Sequence, residues 1–90
     1  MIRHYNITIK GKVQGVNYRA NAQAMAHKLD LTGYVKNLPK SGVYAEVEGK
    51  EEKINQFIEW CNTGPQLAKV TEVKAEESDV QGFQTFEIKR

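Results

Sequence analysis

Within this 90-residue chain, the stretch Gly11-Lys12-Val13-Gln14-Gly15-Val16-Asn17-Tyr18-Arg19 has the composition of a ligand loop. It leads out of an alternating segment and into a helical one. A loop entering a helix leaves the first N–H groups of that helix without intrahelical acceptors. Those donors, together with the positive end of the helix dipole, suit an anion. Gly15 lets the backbone bend and a ligand approach closely. Arg19 adds a planar fork of donors that matches two phosphate oxygens. Asn37, in Gly33-Tyr34-Val35-Lys36-Asn37, carries an acceptor and two donors and can hold a water at a set angle. Taken singly, the same residues also suit ordinary turns, with a surface arginine at a helix start and an asparagine at a strand end.

Competing chemistries find less support. Cys61 falls on an apolar helical stripe and reads as core rather than nucleophile. His4 lies on the polar parity of its strand and His27 off the apolar stripe of its helix. Neither pairs with Cys61 or with a serine to make a catalytic set. With two histidines and no His/Asp cluster, no metal site is expected, and no cofactor. Walker A and dinucleotide fingerprints are missing. Trp60 adjoins an apolar stripe and reads as packing. One cysteine makes no internal disulfide, which suits a reducing cytoplasm. Apolar runs are too short to span a bilayer, and Met1 to Asn6 lack a signal-peptide core. The expectation is a cytoplasmic protein without membrane contact.

The elements that must position these residues follow from hydrophobic periodicity. Residues 3–13 alternate, with Tyr5, Ile7, Ile9 and Val13 on one parity, and predict a half-buried strand. From about Asn21 the period changes: Ala22, Met25, Ala26 and Leu29 form one helical face, ended by Leu31-Thr32-Gly33. Tyr34 to Leu38 is β-prone, Pro39 to Gly42 a turn, and Val43 to Glu48 a second alternating strand, so these predict a hairpin. Gly49 opens a second helix with Ile54, Phe57, Ile58 and Cys61 inward, Glu51 and Glu52 in its first turn, and a stop at Asn62 to Pro65. Val70 to Ala75 is strand-like, but Val70 and Val73 have opposite parity, so a bulge or irregular start is expected there. Glu76 to Asp79 reads as a polar connection, and Gln84 to Lys89 as a last strand with Phe86 and Ile88 on one face.

The order β-α-β-β-α-β-β predicts an α+β fold: a ferredoxin-like two-layer sandwich, βαββαβ plus a short C-terminal strand, with an antiparallel sheet and both helices on one face. At 10.2 kDa, residues 1–90 suit one small domain. Net charge is only +2, but it is uneven: residues 1–45 carry seven Lys/Arg and one acid, residues 46–90 six and ten. The first half suits an anion. RNA-recognition domains share this element order, but need stacking aromatics and basic residues on the open sheet face. Here the third strand presents Tyr44, Glu46 and Glu48, and two carboxylates would repel an RNA backbone, so no nucleic-acid partner is expected.

The loop sequence resembles the acylphosphatase signature, G-x-V-Q-G-V-x-F-R, and Gly33 to Asn37 resembles the family's second motif, G-W/T/Y-V-x-N. Val47-Glu48-Gly49 and Gly64-Pro65 match further family landmarks, and the resemblance runs through essentially the whole chain. Tyr18 stands for the usual Phe and Tyr34 where Trp is common; both keep an aromatic ring. The resemblance implies hydrolysis of the carboxyl–phosphate bond of a small acyl phosphate, without metal. It implies that Arg19 and backbone N–H groups of Gln14, Gly15, Val16, Asn17, Tyr18 and Arg19 bind the phosphate, and that Asn37 orients the attacking water. Phosphate or sulfate would then be product-like ligands. Related domains also begin the large hydrogenase-maturation carbamoyltransferases; at this length a free-standing, monomeric enzyme is expected.

Overall fold

Alternation and helical periodicity become seven elements in the expected order. In the computed structural model, which describes residues 1–89, they are β1 (Ile2–Lys12), α1 (Tyr18–Lys28), β2 (Thr32–Asn37), β3 (Val43–Lys50), α2 (Glu51–Thr63), β4 (Lys69–Ser78) and β5 (Phe86–Lys89). Both helices pack on the sheet, and the core lies between the layers. Ile7, Ile9, Val35, Val43, Ala45 and Val47 from the strands meet Ala22, Ala26, Ile54, Phe57 and Cys61 from the helices. Gly33 has φ 137° and lies against the Glu46 carbonyl, where a Cβ would collide, so β2 and β3 approach closely only at a glycine.

Several boundaries differ from the periodicity reading. Helix α1 begins at Tyr18 rather than near Asn21, because Tyr18 supplies a buried position one turn ahead of Ala22. Strand β3 continues through Gly49 and Lys50, which pair with Arg3 and Ile2, so α2 starts only at Glu51. The polar run Glu76 to Ser78 belongs to β4, since β1 offers partners as far as His4. An edge strand with solvent on most side chains lacks the apolar alternation that marks a strand. The bulge is present: Lys10 faces Glu72 and Gly11 faces Val70, leaving Thr71 over. Strand β5 begins at Phe86, not Gln84.

The sheet order is β4-β1-β3-β2-β5. Three of its interfaces are antiparallel, but β5 joins β2 in parallel, with Val35 beside Ile88, so the sheet is mixed. The chain leaves β4 at one edge, at the end of the sheet where β2 begins. To reach the other edge it crosses the face opposite the helices and must then run alongside β2 in the same direction.

That crossing corrects the reading of His4 and Glu48 as solvent-facing. His4 is 0% exposed and Glu48 4% exposed. Glu48 accepts hydrogen bonds from the backbone N–H groups of Gln81, of Gly82 at 3.0 Å and of Phe83 at 3.1 Å. His4 Nδ1 lies 2.7 Å from Glu48, and Nε2 lies 3.0 Å from Glu46 and 2.9 Å from Asn6 Oδ1. Phe83 stacks over the His4 ring at 5.8 Å and meets Tyr34 edge-on. Glu46 also accepts from the hydroxyls of Tyr34 and Tyr44, at 2.8 Å each. The carboxylates of the third strand are therefore engaged beneath a strap, residues 79–85.

Candidate active site

The ends of β1, β2 and β5 and the start of α1 converge at the opposite end of the sheet from the His4 cluster. Between them lies a cleft of about 320 Å³. Gly15, Asn17, Tyr18, Arg19 and Asn37 all line it, so two motifs far apart in sequence share one cavity. Val13 and Ala20 contribute apolar surface, and so does Ile88 of β5.

The loop bends by two left-handed residues, Gly15 at φ 73° and Asn17 at φ 63°. A Cβ at Gly15 would meet nothing within 4 Å, so this position opens onto free space. Left-handed turns of this kind aim successive N–H groups into one concavity. Asn17 caps α1 without a side-chain hydrogen bond, and the first turn carries no acidic residue. Its carbonyl accepts from the backbone and the side-chain amide of Asn21. The positive end of α1 is thus left to the cleft.

Arg19 is partly buried, and its Nη1 lies 3.4 Å from the Lys89 carbonyl. Asn37 is the last residue of β2, paired with Val43. Its Oδ1 is shut off from solvent and has no hydrogen-bond partner among the described residues. An unpaired buried acceptor costs about 1–3 kcal/mol.

Two predicted loop residues turn their side chains elsewhere. Val16 is buried in the core. Gln14 donates from its amide to the carbonyls of Leu38 at 2.8 Å and Gly42 at 2.9 Å. Tyr18 lines the cleft but its ring is core: its hydroxyl donates to the Cys61 carbonyl at 2.8 Å and its ring packs on Trp60 at 5.1 Å. Burial raises the Tyr18 hydroxyl, and burial pushes the Cys61 thiol up to about 12 against a downward pull from Tyr18. Cys61 is inert core, Trp60 packs between Tyr18 and Phe57, and His27 is exposed, as their positions in sequence indicate. Sequence reasoning passed over Ile88. Its only signal was its apolar side chain in a short terminal strand, and its place in the cleft depends on the parallel pairing with β2.

No His, Asp, Glu or Cys side chain lines the cleft among the described residues. What the arrangement offers is one guanidinium, a left-handed loop at the start of a helix, and the side chain of Asn37. That set suits an oxyanion, and among the described residues of the lining there is no carboxylate, imidazole or thiol to serve as base or nucleophile.

Comparison with known proteins gives this arrangement its family. The acylphosphatase family model matches residues 5–88. An acylphosphatase from Acaryochloris marina is 44% identical over 82 residues, which is 91% of this chain and 88% of that protein. One from Aliivibrio fischeri is 43% identical over 86 residues, 96% of each chain. The solved structure of an acylphosphatase from Coxiella burnetii superposes with a TM-score of 0.96 at 35% identity, over 98% of this chain and 93% of that one. The chain belongs to the acylphosphatase family, hydrolases that act on acyl phosphates.

Proposed function

We propose that this chain hydrolyses the carboxyl–phosphate bond of a small acyl phosphate, with phosphate held by Arg19 and the N–H groups of the 14–19 loop and the attacking water oriented by Asn37. The observation that carries this reading is that Asn37, from the second motif, lines the same cleft as Arg19 and the left-handed loop of the first. The phosphoryl group sits over Gly15, where no side chain intrudes. Asn37 hydrogen-bonds the water through the part of its side-chain amide that lines the cleft, and so turns an oxygen lone pair toward phosphorus. Phosphoryl transfer is mostly positioning and charge stabilisation, which preorganised donors supply. The leaving group is a carboxylate and needs no strong acid. The water proton passes to a phosphate oxygen of the substrate, since no side chain of the lining serves as base. The acyl group leaves along the apolar wall of Ile88 and Ala20.

The same reading includes metal independence, a monomeric state, a cytoplasmic location and no nucleic-acid partner. Its support is a cleft lining without metal ligands and a third-strand face occupied by the strap. The test is phosphate release from a panel of acyl phosphates and one phosphate monoester, with excess chelator present. Turnover confined to acyl phosphates supports the reading; equal turnover of the monoester removes it.

Asn37→Ala should lower kcat strongly while the inhibition constant of phosphate changes little, because Asn37 places water rather than anion. Equal loss of phosphate affinity in Asn37→Ala and Arg19→Ala would show that the two roles are wrongly divided.

Inorganic phosphate should also stabilise the fold, since the loop donors converge only when β1 and α1 are docked. Binding to the native state alone adds about 1.4 kcal/mol at ten times Kd. For a domain of this size, 1 kcal/mol moves Tm by roughly 4–8 °C. Arg19→Ala controls for general salt effects, which sulfate and phosphate both exert by exclusion. Equal shifts in wild type and Arg19→Ala would mean that the loop does not bind phosphate.

A further inference from the structure

Gln14 adjoins Gly15 in the loop, yet its side chain reaches across to the β2–β3 turn. Both of its amide hydrogens are used, on the Leu38 carbonyl at 2.8 Å and the Gly42 carbonyl at 2.9 Å. Two carbonyl acceptors fix which end of the amide faces the turn, because an amide oxygen there would be repelled by both. The Gly42 carbonyl accepts in addition from the Leu38 N–H at 3.0 Å, so one amide braces the closure of the turn. Leu38 directly follows Asn37 in the chain. The Asn37 side-chain oxygen has no partner of its own among the described residues, so its direction is set by its backbone and packing.

We infer that Gln14 is a positioning residue: by holding the Leu38 carbonyl it fixes the backbone beside Asn37, and so ties the water-orienting residue to the loop that holds phosphate. This inference rests on the function proposed above. The two halves of the site lie on different elements, the loop after β1 and the end of β2, and the Gln14 amide spans them directly. A brace of that kind keeps the distance between phosphorus and water constant while the turn moves.

The test is a double-mutant cycle on steady-state kinetics. Gln14→Glu keeps the shape but presents oxygens to two carbonyls; Gln14→Met keeps the length without donors. Each variant is checked for cooperative thermal unfolding. A misplacement near 1 Å costs on the order of 10²-fold in rate, so kcat should fall by roughly 10–100-fold in both variants. The inhibition constant of inorganic phosphate should stay within about two-fold. In an Asn37→Ala background either substitution should change kcat by no more than about two-fold, the scatter seen between independent sites.

An unchanged kcat overturns the inference, as does a full additive loss on top of Asn37→Ala. A rise in the phosphate constant that matches the loss in kcat also overturns it, because Gln14 would then serve the phosphate loop alone. If neither variant folds, Gln14 belongs to the fold and the inference falls. If Asn37→Ala itself turns over at the wild-type rate, the proposed water role fails and takes the inference with it. Impaired Asn37→Ala beside unimpaired Gln14 variants removes the inference alone.

Discussion

Arg19→Ala is expected to lose turnover of acyl phosphates by roughly 10²–10³-fold, or about 2.7–4 kcal/mol of transition-state stabilisation. The side chain stands at the second residue of α1 and lines the cleft, where among the described residues its one hydrogen bond is a 3.4 Å approach to the Lys89 carbonyl. The buried positions around it belong to Tyr18 and Ala22, so truncation leaves the core in place. Charge develops on the equatorial oxygens of the transferring phosphoryl group, and a planar fork meets two of them at once. Arg19→Lys keeps the charge but not the fork and should also fail. The measurement is kcat/KM with one acyl phosphate, alongside thermal unfolding of each variant. A folded Arg19→Ala enzyme of normal activity would remove Arg19 from the site.

Glu48→Ala is expected to cost about 1–3 kcal/mol of stability or more, because it leaves His4 Nδ1 and three strap N–H groups without their acceptor. Burial by itself pushes the Glu48 carboxyl up. Hydrogen bonds from the Gln81 N–H, His4 and the N–H groups of Phe83 and Gly82 outweigh it and hold the group below the ordinary range. Glu46 behaves alike: burial raises it, while Tyr34, Tyr44 and His4 bring it below its ordinary value. A carboxyl lowered in the folded state stabilises fully above its unfolded pKa, near 4.3 for glutamate. That stabilisation is lost as pH falls through the folded value. The wild type should therefore lose stability below about pH 4, and Glu48→Gln should show a shallower fall. Denaturant melts of both proteins between pH 3 and 7, at constant ionic strength, decide the matter. Parallel curves would show that Glu48 does not drive the acid sensitivity.

Much of the site is local in sequence, and that is why it was legible. The Gln14 to Arg19 loop follows directly from a strand and precedes a helix, and each residue type states its backbone or donor role. Asn37 required the motif around it, since an asparagine at a strand end has many uses. The elements themselves followed from period two changing to period 3.6; the first turn of α1 was missed because Tyr18, which extends the Ala22 and Ala26 face by one turn, lies within the loop motif. What stayed unreadable was long-range. His4 alternates with Tyr5 as a surface residue would, and only the return of residues 79–85 across that face buries it. The same crossing sets the parallel pairing of β5, and with it the placement of Ile88 in the cleft.

The sheet order also governs when the site comes into being. Strand β1, whose end feeds the phosphate loop, has β3 and β4 as neighbours, and the cleft is finished by β5. No strand that flanks the loop is paired with its nearest neighbour in sequence except β2 with β3. Loops must therefore close over long stretches before most contacts repay the lost chain entropy, and topologies of this kind fold slowly, on the order of milliseconds to seconds. On the ribosome, a chain that has emerged only through α2 has its signature sequence complete but lacks β4, one of the two neighbours of β1, and β5, which walls the cleft. The cleft thus closes only once β5 is made, long after the loop and Asn37 that line it have been synthesised.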